Sequence, residues 1–228
     1  MRLGLSILVY SFLLLNSASA ADATSDPIVI GFLGGRVHST NEIHAEVQLA
    51  ERLQHDYPSG LRIRMFENHR GRQARREILQ LLDRNRDGHL STAEKSAARI
   101  AIYGHSWGAS ETVNLARALG QDGIPVLLTI QVDSVAKFGQ DDGRIPPNVA
   151  QAANFFQTDG LLHGRSEIRA ADPTRTRILG NFHFRYKSHQ IDCSSFPWYA
   201  RLFMKPHIEI ESDPQVWQQV DSLIRAQL

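Results

Sequence analysis

Cysteine is almost absent: Cys193 is the only one among 228 residues. No intramolecular disulfide can form, so stability has to come from a packed core or a bound metal. A charge excess of one sign is also lacking. Lysine and arginine number 25 against 24 aspartates and glutamates, without the basic surplus that nucleic-acid binding demands. The apolar stretch at residues 3–15 is shorter than the ~18 residues of a spanning helix. Internal repeats, low-complexity tracts and linkers are missing too, which makes one domain the economical count.

What the first twenty residues do have is the order of a secretory signal peptide: Arg2, then the apolar stretch, then Ser17-Ala18-Ser19-Ala20. Cleavage is expected after Ala20. It removes one basic residue and no acid, leaving a formally neutral chain, and no cysteine flanks the cut to take a lipid. The mature chain, residues 21–228, is therefore expected to be secreted or periplasmic, without a stable membrane anchor.

Along the mature chain, short apolar runs alternate with helix-like stretches. Residues 27–33 form a continuous apolar run ending at Gly34-Gly35, as in a strand buried on both faces. Ile43, Val47, Ala50 and Leu53 recur at helical spacing after Thr40 or Asn41 as cap. A strand at 61–66, a helix at about 73–82, a strand at 100–103, a helix at 111–119 and a strand at 125–132 follow. Repeated strand and helix in this order argue a mainly parallel sheet flanked by helices. Between 137 and 206 only a strand at 177–184 and a turn at 194–198 are legible. Pro214 opens a closing helix whose apolar face is Val216, Trp217, Val220, Leu223, Ile224 and Leu228.

Two motifs stand out. The first is Gly104-His105-Ser106-Trp107-Gly108, a G-x-S-x-G pattern lying between a predicted strand and a predicted helix. In that context it reads as a sharp turn that lifts a serine hydroxyl above the sheet edge. The second runs from Asp83 to Glu94 and fits a calcium loop of the EF-hand type, directly before the strand that carries the serine. Asp83, Asn85 and Asp87 would each give a side-chain oxygen, His89 its carbonyl, Ser91 a direct or water-mediated oxygen, and Glu94 both carboxylate oxygens. Gly88 allows the sharp bend. Arg84 and Arg86 sit beside these ligands and the loop is unpaired, so weak binding is expected, roughly 0.1–1 mM. A structural Ca2+ bracing the serine strand is the expectation, with no organic cofactor.

A serine hydroxyl needs a base, and the base needs a carboxylate to hold its tautomer. Asp133, at the end of the strand after Ser106, is the leading acid; Asp141, Asp142 and Asp192 are rivals. His207, in Lys205-Pro206-His207 ahead of the last helix, is read as a loop histidine and the leading base, with His189 as rival. His105, adjacent to the serine, is expected to point elsewhere. Oxyanion donors are expected at the amide of Trp107 and in the Gly34-Gly35 turn, a pair that a plain tight turn would equally explain. Phe155, Phe156, Phe182, Phe184, Phe196, Trp198, Tyr199 and Phe203 could line an acyl pocket.

The chain resembles the α/β-hydrolase superfamily, in particular small secreted bacterial members related to lipases and esterases. The resemblance rests on the Gly104–Gly108 motif, on the strand ending at Asp133, and on the stretch from His207 to Trp217. It implies Ser106 as nucleophile, Asp133 as acid and His207 as base. The chain begins at what would be that fold's third strand, so a reduced α/β-hydrolase sheet is expected, interrupted by the EF-hand-like loop. The resulting expectation is a serine esterase acting on a small-molecule or lipid ester. The alternative is a noncatalytic calcium-binding protein on the same scaffold, and ester, thioester and amide substrates are not distinguished.

Overall fold

In the computed structural model, which describes residues 25–228, the apolar runs become strands and the periodic stretches wrap around them. The chain order is β1 (Ile28–Leu33), α1 (Ala45–Asp56), β2 (Arg62–Glu67), α2 (Gly71–Leu82), α3 (Thr92–Ser96), β3 (Ile100–His105), α4 (Trp107–Gln121), β4 (Val126–Val132), β5 (Arg144–Ile145), β6 (Val149–Gln157), β7 (Arg169–Ala170), β8 (Arg177–Phe184), α5 (Trp198–Phe203), α6 (Lys205–Ser212) and α7 (Pro214–Arg225). Six strands make one sheet in the order β2-β1-β3-β4-β6-β8, every pairing parallel. The expected signal peptide, residues 1–20, lies outside the described residues. No described helix is long and apolar enough to cross a membrane.

All six residues of β1 and all six of β3 are buried, the condition that yields unbroken apolar runs rather than alternation. Successive side chains point to opposite faces and feed two separate cores. Ile28, Ile30, Phe32, Ile100 and Ile102 meet Ala74, Ile78 and Leu82 of α2 and Val113, Ala116 and Leu119 of α4. Val29, Ala101 and Tyr103 meet Leu49 and Leu53 of α1 and Val216, Trp217, Val220 and Ile224 of α7. The helices thus cover both faces, and the carboxyl ends of the central strands open at one edge.

Several boundaries differ from the sequence reading. α1 starts at Ala45 after His44, which makes no side-chain cap, so Ile43 lies outside the helix and is exposed. α4 begins at Trp107 rather than near 111, directly behind the serine. β6 was not anticipated: its sequence VAQAANFFQ neither alternates nor reads as apolar, yet its last six residues are buried. The segment after Pro197 holds two short helices instead of a loop. Pro206 sits in the first turn of α6, where its missing N–H costs nothing, and His207 is helical.

Candidate active site

Ser106 caps α4 with φ 57° and ψ −124°, a left-handed φ that a non-glycine residue adopts at a cost of about 1–3 kcal/mol. The bend is possible because the residues two positions to either side, Gly104 and Gly108, are glycines. A Cβ on Gly108 would sit 2.3 Å from the Phe32 carbonyl oxygen, and one on Gly104 would lie 2.7 Å from the Gly108 carbonyl carbon. The backbone N–H of Ser106 donates to the Val132 carbonyl at 2.9 Å, tying the turn to the end of β4. Asp133 follows that strand with φ 44° and is fully buried.

These elements bring together side chains 101 and 74 residues apart in sequence. Ser106 O–H donates to His207 Nε2 at 2.8 Å. His207 Nδ1–H donates to Asp133 Oδ2 at 2.6 Å. Asp133 receives three further donors: the N–H groups of Gln157 at 3.2 Å and Gly164 at 2.7 Å on Oδ1, and Gln157 Nε2 at 2.8 Å on Oδ2. The carboxylate is thus oriented from both sides. Gln157, at the end of β6, escaped the sequence reading because nothing local marks it; its amide also donates to Leu162 O at 3.0 Å.

The rival acids and the rival histidine are placed elsewhere. Asp142 is buried against Ser134 Oγ at 2.6 Å and paired with Arg165. Asp141 caps Gly143 N at 3.0 Å and Asp192 caps Ser194 N at 2.8 Å. His189 is exposed. His105 does not point away as expected. Its ring lies 4.5 Å from that of His207, and its Nε2–H donates to the His207 carbonyl at 3.2 Å.

Behind His105 lies a group that the sequence did not reveal. His105 Nδ1 is 3.2 Å from Glu211 Oε2 and 3.9 Å from Glu46 Oε1, and His44 Nδ1 contacts Glu211 Oε1. Burial pushes Glu211 up to about 8 and Glu46 well above the ordinary glutamate range, while it holds the His105 ring well below the usual histidine value.

Ser106 opens into a cavity of about 480 Å³, whose apolar wall includes Ile43, Val135, Leu162, Phe196, Tyr199 and Ile208. Trp107 and Gly34-Gly35 line it too, and a Cβ on Gly34 would come within 2.8 Å of Ser106 Cβ. The Trp107 amide opens α4 and therefore lacks a helical acceptor. Only Phe196 and Tyr199 of the aromatic set line this cavity. Phe155 and Phe182 stack on each other at 5.0 Å in the core, Phe155 lies 6.2 Å from the ring of Phe184, and Phe156 stacks on His183 at 4.7 Å, because β6 and β8 are neighbours. Trp198 and Phe203 are 67% and 70% exposed on α5. A second cleft of about 700 Å³ adjoins at Trp107 and carries Arg36, His38, Glu67, His69 and Lys137.

The loop after α2 closes upon itself. Asp83 accepts from the N–H groups of Asp87 at 3.2 Å and Gly88 at 2.9 Å, and Asp87 from His89 N at 2.8 Å. Gly88 takes φ 83°. Ser91 caps α3 in a capping box with Glu94, whose carboxylate also accepts from Arg84 N at 2.9 Å and is held near 2 by these donors. Leu90 packs on the core that backs β3. Asn85 lies in the same turn, its Nδ2 2.8 Å from Asp87 Oδ2. Three carboxylates, an amide, a hydroxyl and the His89 carbonyl make an all-oxygen donor set suited to a hard cation.

No family model matches this chain, and no curated protein does. Its outline is similar to solved structures of human thioesterase 2 (9% identity, 89% of this chain and 96% of that one, TM-score 0.46). It is also similar to an arylesterase (12%, 90% and 76%, 0.47) and to a thermostable esterase from Pseudomonas putida (12%, 91% and 74%, 0.42). These are distant likenesses of outline. The chain's own arrangement is that of a reduced α/β-hydrolase fold: a parallel sheet, a serine elbow after a central strand, and an acid and a histidine following in that order.

Proposed function

We propose that this protein is a serine hydrolase that cleaves carboxylic esters through an acyl-enzyme. The observation that carries the reading is the continuous hydrogen-bonded line from Ser106 through His207 to the buried Asp133, ending in an apolar cavity. Ser106 Oγ attacks the acyl carbon as His207 Nε2 takes its proton. Asp133 holds Nδ1 protonated and stabilises the imidazolium. The oxyanion faces the Trp107 amide and the Gly34-Gly35 turn. His207 then returns the proton to the leaving alkoxide, and water repeats the sequence to release the acid.

The 480 Å³ cavity, within the ~300–1,000 Å³ of small-molecule sites, takes the apolar acyl group. The cleft beyond Trp107, which carries Arg36, His38, Glu67, His69 and Lys137, takes the other end of the ester. Calcium in the Asp83–Glu94 loop is structural in this reading: it clamps the connection between α2 and β3 and takes no part in the chemistry. The protein acts after export, with residues 1–20 removed.

Hydrolysis of p-nitrophenyl esters from acetate to palmitate tests the proposal. Turnover that is abolished in Ser106→Ala and depends on acyl length supports it. Absence of turnover across the series would favour a noncatalytic calcium-binding scaffold.

A further inference from the structure

We propose that His44, Glu46, His105 and Glu211 form a binding site for one zinc ion, set in the cavity wall behind His207. The site shares no residue with the calcium loop or with the Ser106, His207 and Asp133 line. One nitrogen or oxygen from each of His44, Glu46 and Glu211 lies within 4.8 Å of the others. His105 Nδ1 lies beside this trio, 3.2 Å from Glu211 and 3.9 Å from Glu46, and becomes the fourth donor when the ion draws its ring in. Zinc bonds of ~2.0–2.2 Å in a tetrahedron give donor separations of about 3.3–3.6 Å, so small side-chain adjustments complete the shell.

The tautomer of His105 makes the same point. Its Nε2 faces the His207 carbonyl, which can only accept, so that nitrogen carries the ring hydrogen. Nδ1 then presents a lone pair to two carboxylate groups. Either a proton or a cation has to lie between these groups, and a metal at their meeting point takes the place of that proton. Histidine ligands commonly donate their other N–H to a backbone carbonyl, as here.

Glu46 supplies a separate observation. Its carboxyl is 0% exposed and abuts that of Glu211, yet neither oxygen meets a hydrogen-bond donor. A carboxyl buried in this way carries its charge only when a cation lies against it. One divalent ion neutralises both glutamates together. Two imidazole nitrogens with two carboxylates select a zinc-like ion over calcium or magnesium, which prefer oxygen alone. His44, His105 and Glu211 all line the open cavity, which provides the entry path. A bound ion would tie α1, β3 and α6 together and brace His207 through the His105 hydrogen bond.

The test uses the mature protein, stripped with chelator and then held in excess calcium to saturate the loop. Zinc is titrated against a chromophoric chelator, and the retained metal is counted by mass spectrometry. One zinc per chain is expected. Glu46→Gln should weaken it by at least about 100-fold, the upper end of the loss caused even by outer-shell changes, and zinc should raise the Tm of wild type but not of the variant. Should Glu46→Gln fail to fold, His44→Gln at the half-buried cavity edge serves in its place. His207→Ala and Glu209→Gln should keep the ion. No retained zinc in the wild type, equal retention in both cluster variants, or loss in His207→Ala with retention in Glu46→Gln would each overturn the proposal.

Discussion

Replacing Asp133 by asparagine changes one atom and should remove nearly all activity. The carboxylate has four donors aimed at it, two on each oxygen. An asparagine has one oxygen to offer, so its NH2 must face two of them. The two on Oδ1 are the backbone N–H groups of Gln157 and Gly164, which cannot rotate or change protonation. The two on Oδ2 come from a side-chain amide and from an imidazole, which can move its proton. The amide oxygen therefore takes the Oδ1 place and the NH2 turns to His207 Nδ1. His207 must then accept there, which puts its hydrogen on Nε2 and points it at Ser106.

A base holding the wrong tautomer loses about 10⁴ in kcat, or roughly 5.4 kcal/mol of barrier at 1.36 kcal/mol per decade. The buried mismatch against Gln157 Nε2 should cost about 1–3 kcal/mol of stability as well. Ester hydrolysis should be measured with a melting curve alongside, to confirm that Asp133→Asn is folded at the assay temperature. A folded variant within tenfold of wild type would refute the reasoning.

Gly164→Ala would place a methyl 2.2 Å from the Asp133 carbonyl carbon; a stability loss of about 1–3 kcal/mol and up to about 100-fold lower kcat/KM from displacing the acid are expected, and unchanged kinetics would count against the positional argument. For the calcium loop, 1 mM calcium acting on a site of roughly 0.1–1 mM affinity should stabilise by about 0.4–1.4 kcal/mol, or about 1–5 °C in Tm. Glu94→Ala should abolish that increment, and an equal calcium response in both proteins would remove the loop from the account. Burial raises Glu111 above the ordinary glutamate value, against the opposing pull of Asn114 and Lys137. The folded state therefore binds this proton more tightly, and that contribution, full below the ordinary glutamate pKa of about 4.3, fades as pH rises through the raised value. Glu111→Gln should remove the loss, so the variant gains on wild type from acid toward neutral pH in denaturant titrations; a gain that shrinks with rising pH would contradict the assignment.

How much of this was legible in the sequence follows from which interactions are local. β1, β3 and β4 are central strands in contact with apolar layers on both sides, so each writes a continuous apolar run. The Ser106 elbow and the Asp83–Glu94 loop are built from neighbours in sequence, and their glycines and hydroxyls declare them. Asp133 and His207 could be singled out because the expected chain order narrows the search. β6 could not, since its buried Asn154 and Gln157 are paid for by distant partners, Arg165 O at 2.9 Å and Asp133 at 2.8 Å. The group of His44, Glu46, His105 and Glu211 is invisible for the same reason, as its members come from three separate elements. The aromatics of β6 and β8 misled because composition does not say which face of a strand they occupy.

The most direct measurement is intact-mass detection of fluorophosphonate labelling, with Ser106→Ala as control and with calcium or chelator present. One label per chain on the wild type and none on the alanine variant is the predicted result. A wild-type protein that stays unlabelled in both conditions, or a Ser106→Ala variant that labels equally, would contradict an activated Ser106.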